Sequence, residues 1–276
     1  MPLDPQRFIE IFRIAALQAG SVASRLQGEV RTQRKTNETS PESQALTAVD
    51  LATQDVVLHL LHALLPKETD TPIALDAEEE TDTVALFAPE APGRDLIVLD
   101  PVDGTLSYTR GSRDYAVMGA LLQDGRYAAS LIHFPAHRVT AWAIRGSGCF
   151  RELEGRKPAR ILRPRAPSRI LVTPRTDRKS RDRLAPLASE IETSRCSAVD
   201  ASAPALGRAR AALSPKRSDR RRAIGYLLTL EAGGHVQMGD HDWRGEDPDA
   251  LGEDAAPSIV ASSRTLARRV SKAYRG

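Results

Sequence analysis

Leu99–Thr105 reads LDPVDGT, and this stretch decides how the chain folds. Asp100 and Asp103 stand three residues apart at the end of the apolar run Leu96-Ile97-Val98-Leu99, with Pro101 between them and Gly104-Thr105 following. An apolar run that ends directly in acids is what a buried strand looks like when it delivers side chains to a site at its end. Pro101 stiffens the turn, and Gly104 lets backbone N–H groups approach an anion. Hard divalent cations want oxygen ligands, and Mg2+ is satisfied by a few carboxylates plus water and substrate phosphate. Asp100 and Asp103 meet that demand. Taken alone, the same letters also describe an Asp-Pro/Asp-Gly surface turn.

Two more acidic elements lie upstream. Ala77-Glu78-Glu79-Glu80 follows the apolar run Ile73-Ala74-Leu75, and Asp50 follows Leu46-Thr47-Ala48-Val49 at the opening of a helix. A triple-Glu run by itself reads as a solvated loop. Three acidic elements, each at the edge of an apolar segment, are harder to explain by solvation.

Around these motifs the pattern alternates helices and strands. Asp4-Pro5 reads as a helix start, and Phe8, Ile11, Phe12, Ala15 and Ala19 share one face up to Gly20. Residues 31–43 are polar and aperiodic, as in a mobile loop. A second helix is expected from Thr47 to Leu65, where Pro66 stops it. A meander follows, with strands over Tyr115–Leu122, Tyr127–His133 and Val139–Ile144 separated by QDGR and PAHR turns and closed by Arg145–Gly148. Pro, Arg and Lys dominate Glu152–Pro167, which places a division between residues 1–155 and 156–276. Beyond it, a strand at Ile170–Val172, an Ala-rich helix at Ala201–Leu213, a helix at Arg222–Ala232 ended by Gly233-Gly234, a strand at Ser258–Ala261 and a final helix capped by Ser263 are expected.

Composition narrows the function. With 276 residues, 41% hydrophobic and 27% charged, the chain is of ordinary globular make-up. No apolar run reaches the ~20 residues of a membrane span, and Arg7, Glu10 and Arg13 interrupt any signal-peptide core, so a cytoplasmic protein is expected. Cys149 and Cys196 lack metal-site spacing and read as reduced thiols. The net charge of +3 conceals a basic stretch from Arg175 to Arg222. No nucleic-acid motif accompanies it, and aromatic residues, at 4%, are too few for a base-stacking platform. His133, His137 and Trp142 fall in or beside the meander and read as core or turn residues.

The order LTAVD, AEEE, DPVDGT, a meander ending RGSGCF, and IGYLLTLEAGG resembles the inositol monophosphatase family of magnesium-dependent, lithium-sensitive phosphatases over residues 8 to 270. The resemblance implies an α+β fold, a layered αβαβα sandwich, and hydrolysis of a small phosphate monoester with Mg2+ as cofactor. It implies that Glu78, Asp100 and the Val102 carbonyl hold one metal and that Asp100 and Asp103 reach a second. Thr105 and Asp50 would position the attacking water, Glu78 would orient it, the Gly104 and Thr105 N–H groups would receive phosphate, and Asp103 would also face the substrate. Glu79 would orient the ligands. A homodimer is a reasonable expectation on the same ground.

One motif breaks the pattern. Aligned on Gly225 and EAGG, the family's Trp-Asp pair becomes Arg220-Arg221, so a guanidinium replaces the carboxylate expected to complete the second metal. Asp219 could substitute only if the helix start shifted. The acidic residue the family uses to grip a substrate hydroxyl has no counterpart near Ser214, and Lys216 and Arg217 suggest a more anionic substrate, such as a bisphosphate nucleotide. An alternative is an impaired member that binds an anionic ligand or a protein partner.

Overall fold

The computed structural model describes residues 2–30, 41–65, 72–162, 165–216, 218–251 and 255–276, with the side chains of 28–30 and 41–47 left aside. Helices α1 (Pro5–Val30) and α2 (Pro41–Leu64) cover one face of a seven-stranded sheet built from β1 (Ala74–Ala77), β2 (Leu96–Asp103), β3 (Ala116–Gln123), β4 (Arg126–Phe134), β5 (Val139–Ile144), β6 (Gly148–Leu153) and β7 (Ala159–Ile161), in that spatial order. Only β1 and β2 run parallel; the rest form an antiparallel meander. A short helix, α3 (Thr105–Thr109), follows β2.

The second sheet has the order β12-β11-β13-β10-β8-β9, from β8 (Arg169–Val172), β9 (Glu190–Thr193), β10 (Ala211–Ser214), β11 (His235–Met238), β12 (His241–Asp242) and β13 (Ser258–Ala261). Helices α5 (Ser197–Leu206) and α6 (Arg220–Glu231) lie between the two sheets, while α4 (Arg178–Leu184) and α7 (Arg264–Arg275) cover the far face of the second. The result is the expected αβαβα sandwich.

Alternation within the strands explains the layers. Ile97 and Leu99 pack with Phe8, Phe12 and Leu58 under α1 and α2, whereas Leu96 and Val98 pack toward Ile224 and Leu228 of α6. Strands buried on both faces read as continuous apolar runs, which is why β2 was legible. The EAGG segment also ties layers together: Glu231 accepts from the Gly146 and Gly148 N–H groups of the RGSG turn at 2.9 and 3.0 Å.

Several expectations need correction. The first helix runs ten residues past Gly20. That glycine marks a close approach instead of a terminus, since a Cβ there would lie 2.6 Å from the His133 ring. The second helix starts at Pro41, so part of the expected 31–43 loop is helical and residues 31–40 lie outside the described ones. The Ala-rich segment 201–213 is not one helix: α5 spans Ser197–Leu206, Gly207 closes it at φ +70°, and Ala211 begins β10. No helix among the described residues is long and apolar enough to cross a membrane.

Candidate active site

The parallel register of β1 and β2 builds the acidic site. Ala77 pairs with Leu99, so Glu78 and Asp100 leave the sheet side by side. Between Asp100, opposite Met118, and Asp103, opposite Ala116, β2 carries one residue more than β3. This bulge at Pro101-Val102 redirects the chain and sends Asp103 another way. Gly104 follows at φ +83°, where a Cβ would meet the Asp114 carbonyl oxygen at 2.8 Å, so the turn depends on glycine.

The two aspartates of the motif therefore have different surroundings. Asp103 faces the N-terminus of α5, where its Oδ2 accepts from the Ala198 N–H at 2.6 Å and the Cys196 thiol at 2.9 Å, and its Oδ1 accepts from the Ser197 hydroxyl. A carboxylate at a helix N-terminus is stabilised by the exposed N–H groups and the helix dipole. Asp100 has no such donors. It is 5% exposed, sits within hydrogen-bonding reach of Glu78, and its Oδ1 is buried with no partner among the described residues.

Crowding of carboxylates shows in their acidities. Burial, then the charges of Asp103 and Glu78, push the Asp100 carboxyl well above its ordinary range. Burial raises Glu78 too, although the hydrogen bond to Asp100 and the Arg221 charge oppose it. Glu78 is the more exposed of the two, so Asp100 carries the greater desolvation cost. Burial and the charges of Glu79 and Glu78 raise Asp50 to about 8. Thr105 donates from Oγ1 to the Val102 carbonyl at 3.2 Å, bringing those two expected residues together.

The chemistry of this donor set suits a cation. A buried, acceptor-only oxygen such as Asp100 Oδ1 requires a proton, a donor or a metal. Among the described residues, no group of three or more His, Cys, Asp or Glu side chains is gathered closely enough to form a complete metal cage. Two adjoining carboxylates and a backbone carbonyl are nonetheless the partial set that Mg2+ accepts, because water and phosphate fill its remaining positions.

Residues not singled out in the sequence hold this site in shape. Fully buried Gln54, one helical turn after Asp50, bonds both ways to the Glu79 backbone: Nε2 donates to the Glu79 carbonyl at 2.6 Å, and Oε1 accepts from the Glu79 N–H at 3.1 Å. The i,i+4 spacing from Asp50 was the available signal. Asp76, two residues before Glu78, accepts from Arg221 Nη2 at 2.8 Å and Arg220 Nη1 at 3.3 Å. Asp200 of α5 is buried against Arg222 of α6 at 3.2 Å.

The inositol monophosphatase family model matches residues 4–273, nearly the whole chain. The chain belongs to this family. It is 28% identical over 207 residues to the 3'(2'),5'-bisphosphate nucleotidase CysQ of Salmonella typhimurium, covering 74% of this chain and 78% of that one. The extragenic suppressor protein SuhB of Bartonella henselae shares the fold, with a TM-score of 0.73 at 21% identity over 97% of this chain and 99% of that one. An inositol monophosphatase/NADP phosphatase complexed with NADP and Ca2+ superposes with a TM-score of 0.71 at 18% identity, covering 97% and 93% of the two chains.

Against the inositol monophosphatase pattern, the start of α6 is the departure. Arg220 is taken up by Asp247, Glu90 and Asp76, joining the helix start to three other segments. Arg221, held by Asp76, lies near enough to Glu78 and Asp100 for its charge to favour their ionised forms. Asp219 is the N-cap of α6, accepting from the Arg222 N–H at 2.8 Å. The helix begins at Arg220, two residues before its expected start, and one oxygen of Asp219 is engaged in capping it.

Proposed function

We propose that the chain hydrolyses a small phosphate monoester with Mg2+, using one cation position and a fixed guanidinium where its relatives' pattern has a second carboxylate. The observation that carries this reading is the buried, partnerless Oδ1 of Asp100 beside Glu78 at the end of β2. Glu78, Asp100 and the Val102 carbonyl would hold the cation, while both oxygens of Asp103 accept hydrogen bonds at the start of α5. A divalent cation there supplies charge that offsets phosphate and acidifies water. Thr105 and Asp50 would orient the attacking water, with Glu78 placed to accept its proton. The Gly104 and Thr105 N–H groups would receive phosphate oxygens. The bisphosphate nucleotidase relative and exposed Lys216 favour a strongly anionic substrate over a neutral sugar ring.

Arg221 favours a second reading of the same site, a member that holds anionic ligands or a protein partner with little turnover, because a fixed positive charge competes with a cation. A phosphate-release screen over inositol phosphates, sugar phosphates and adenosine bisphosphates, with and without Mg2+, tests both. The proposal expects Mg2+-dependent release from at least one class, abolished by Asp100→Asn with the fold retained. Tight anion binding without release from any substrate would leave only the second reading.

A further inference from the structure

The C-terminal half carries a second cavity, lined by none of the residues of the carboxylate site. It has a volume of about 480 Å3 and lies at the start of α7, beside the Gly233-Gly234 turn that joins α6 to β11. Ser263 caps α7, its Oγ accepting from the Leu266 N–H at 3.3 Å. The Arg264 and Thr265 N–H groups have no acceptor among the described residues. Open N–H groups at a helix start, together with the helix dipole, favour an anion. Arg264 lines the same cavity, with its guanidinium held by Asp242.

His235, the first residue of β11, adds a need that an anion alone does not meet. It lines the cavity and is only 5% exposed. Its Nε2 lies 2.9 Å from Asp242 Oδ1, and because a carboxylate only accepts, Nε2 carries the proton and Nδ1 keeps a lone pair. Burial disfavours the imidazolium, which holds the ring in that neutral form. Nδ1 makes no hydrogen bond among the described residues and is not fully enclosed, so the 6% of the side chain left accessible includes this nitrogen, in the cavity that the ring lines. Donors without an acceptor, in one cavity with an acceptor without a donor, define a ligand that brings both negative charge and a proton.

The geometry points to a binding site for inorganic phosphate, with its charged oxygens on the Arg264 and Thr265 N–H groups and its P–OH donating to His235 Nδ1. Inorganic phosphate still carries a P–OH at pH 8. A phosphate monoester, whose last proton leaves at a pKa of about 6, does not, and neither does sulfate. The cavity is larger than the anion and leaves room for its bridging water. This site is independent of the phosphatase reading.

Titration of the full chain at pH 8 with inorganic phosphate, sulfate and methyl phosphate, with no divalent cation added, tests it when followed by the backbone amide resonances of Ser263, Arg264 and Thr265. Phosphate should shift these resonances saturably, and sulfate and methyl phosphate should bind at least about tenfold more weakly. His235→Phe keeps an aromatic ring at the buried position but removes the acceptor, and should erase that preference. If that variant does not fold, the wild-type comparison of the three anions decides. No saturable shift at these amides, equal affinity for sulfate or methyl phosphate, or an undiminished preference in the folded variant would overturn the inference.

Discussion

The end of β2 and the start of α6 meet at one site but hold opposite charges. At β2, Asp100 is buried beside Glu78 with an oxygen left over, the arrangement of a place made for a cation. At α6, Arg220, Arg221 and Arg222 each engage a carboxylate already within the chain: Asp247, Asp76 and Asp200. One region leaves a buried acceptor open, whereas the other pairs its charges within the chain, with only the Arg221 Nε donor buried without a partner among the described residues of that helix start. In the proposed reading, the family site keeps its cation-binding half while its other half is an ion-pair network.

Substitutions at the two regions should therefore differ in kind. The largest stability effect is expected at Arg220, which is 12% exposed and faces the nearly buried Asp247. Arg220→Ala should destabilise the fold by about 3 kcal/mol, chiefly by leaving Asp247 unpaired; the exposed Glu90 contact adds little. Urea unfolding measures this, and a loss under about 1 kcal/mol would mean the network is ornamental.

At the acidic region the sign reverses, because removing charge should stabilise. The folded-state pKa of Asp50, about 8, lies above its ordinary 3.8. Its contribution to stability is therefore fully present below pH 3.8 and is lost as pH rises toward 8. Without divalent cations, Asp50→Asn should be more stable than wild type at pH 8, with the difference closing toward pH 4. A difference independent of pH would show that Asp50 is not crowded by Glu79 and Glu78.

The smallest effect is expected at Asp219. As an N-cap, its replacement by Ala should cost about 1 kcal/mol of stability and leave Mg2+ affinity unchanged. Lost Mg2+ affinity in that variant would make Asp219 a ligand and remove the need for Arg221 in the account.

How far the sequence reached follows from the range of each signal. The β2 strand and its two aspartates were legible because a continuous apolar run ending in acids is a local pattern. That β1 lies parallel to β2 and sets Glu78 beside Asp100 is a pairing fact, and family order stood in for it. The fate of Asp103 was not legible: its donors, Cys196, Ser197 and Ala198, are more than ninety residues away in the chain. The Ala-rich segment misled for another reason. Ala211 and Ala212 face opposite cores in β10, and a short buried strand has no period that distinguishes it from a buried helix. The Arg220-Arg221 departure was visible in the sequence, but its ion-pair partners Asp76 and Asp247 were not.

The most direct test is the number of Mg2+ ions bound, measured calorimetrically for the wild type and for Arg221→Asp. The account predicts one strong site in the wild type and a second, strong site gained on restoring the carboxylate, since a fixed positive charge is exchanged for a ligand. Two equally strong sites in the wild type, or no change in stoichiometry after the substitution, would contradict it.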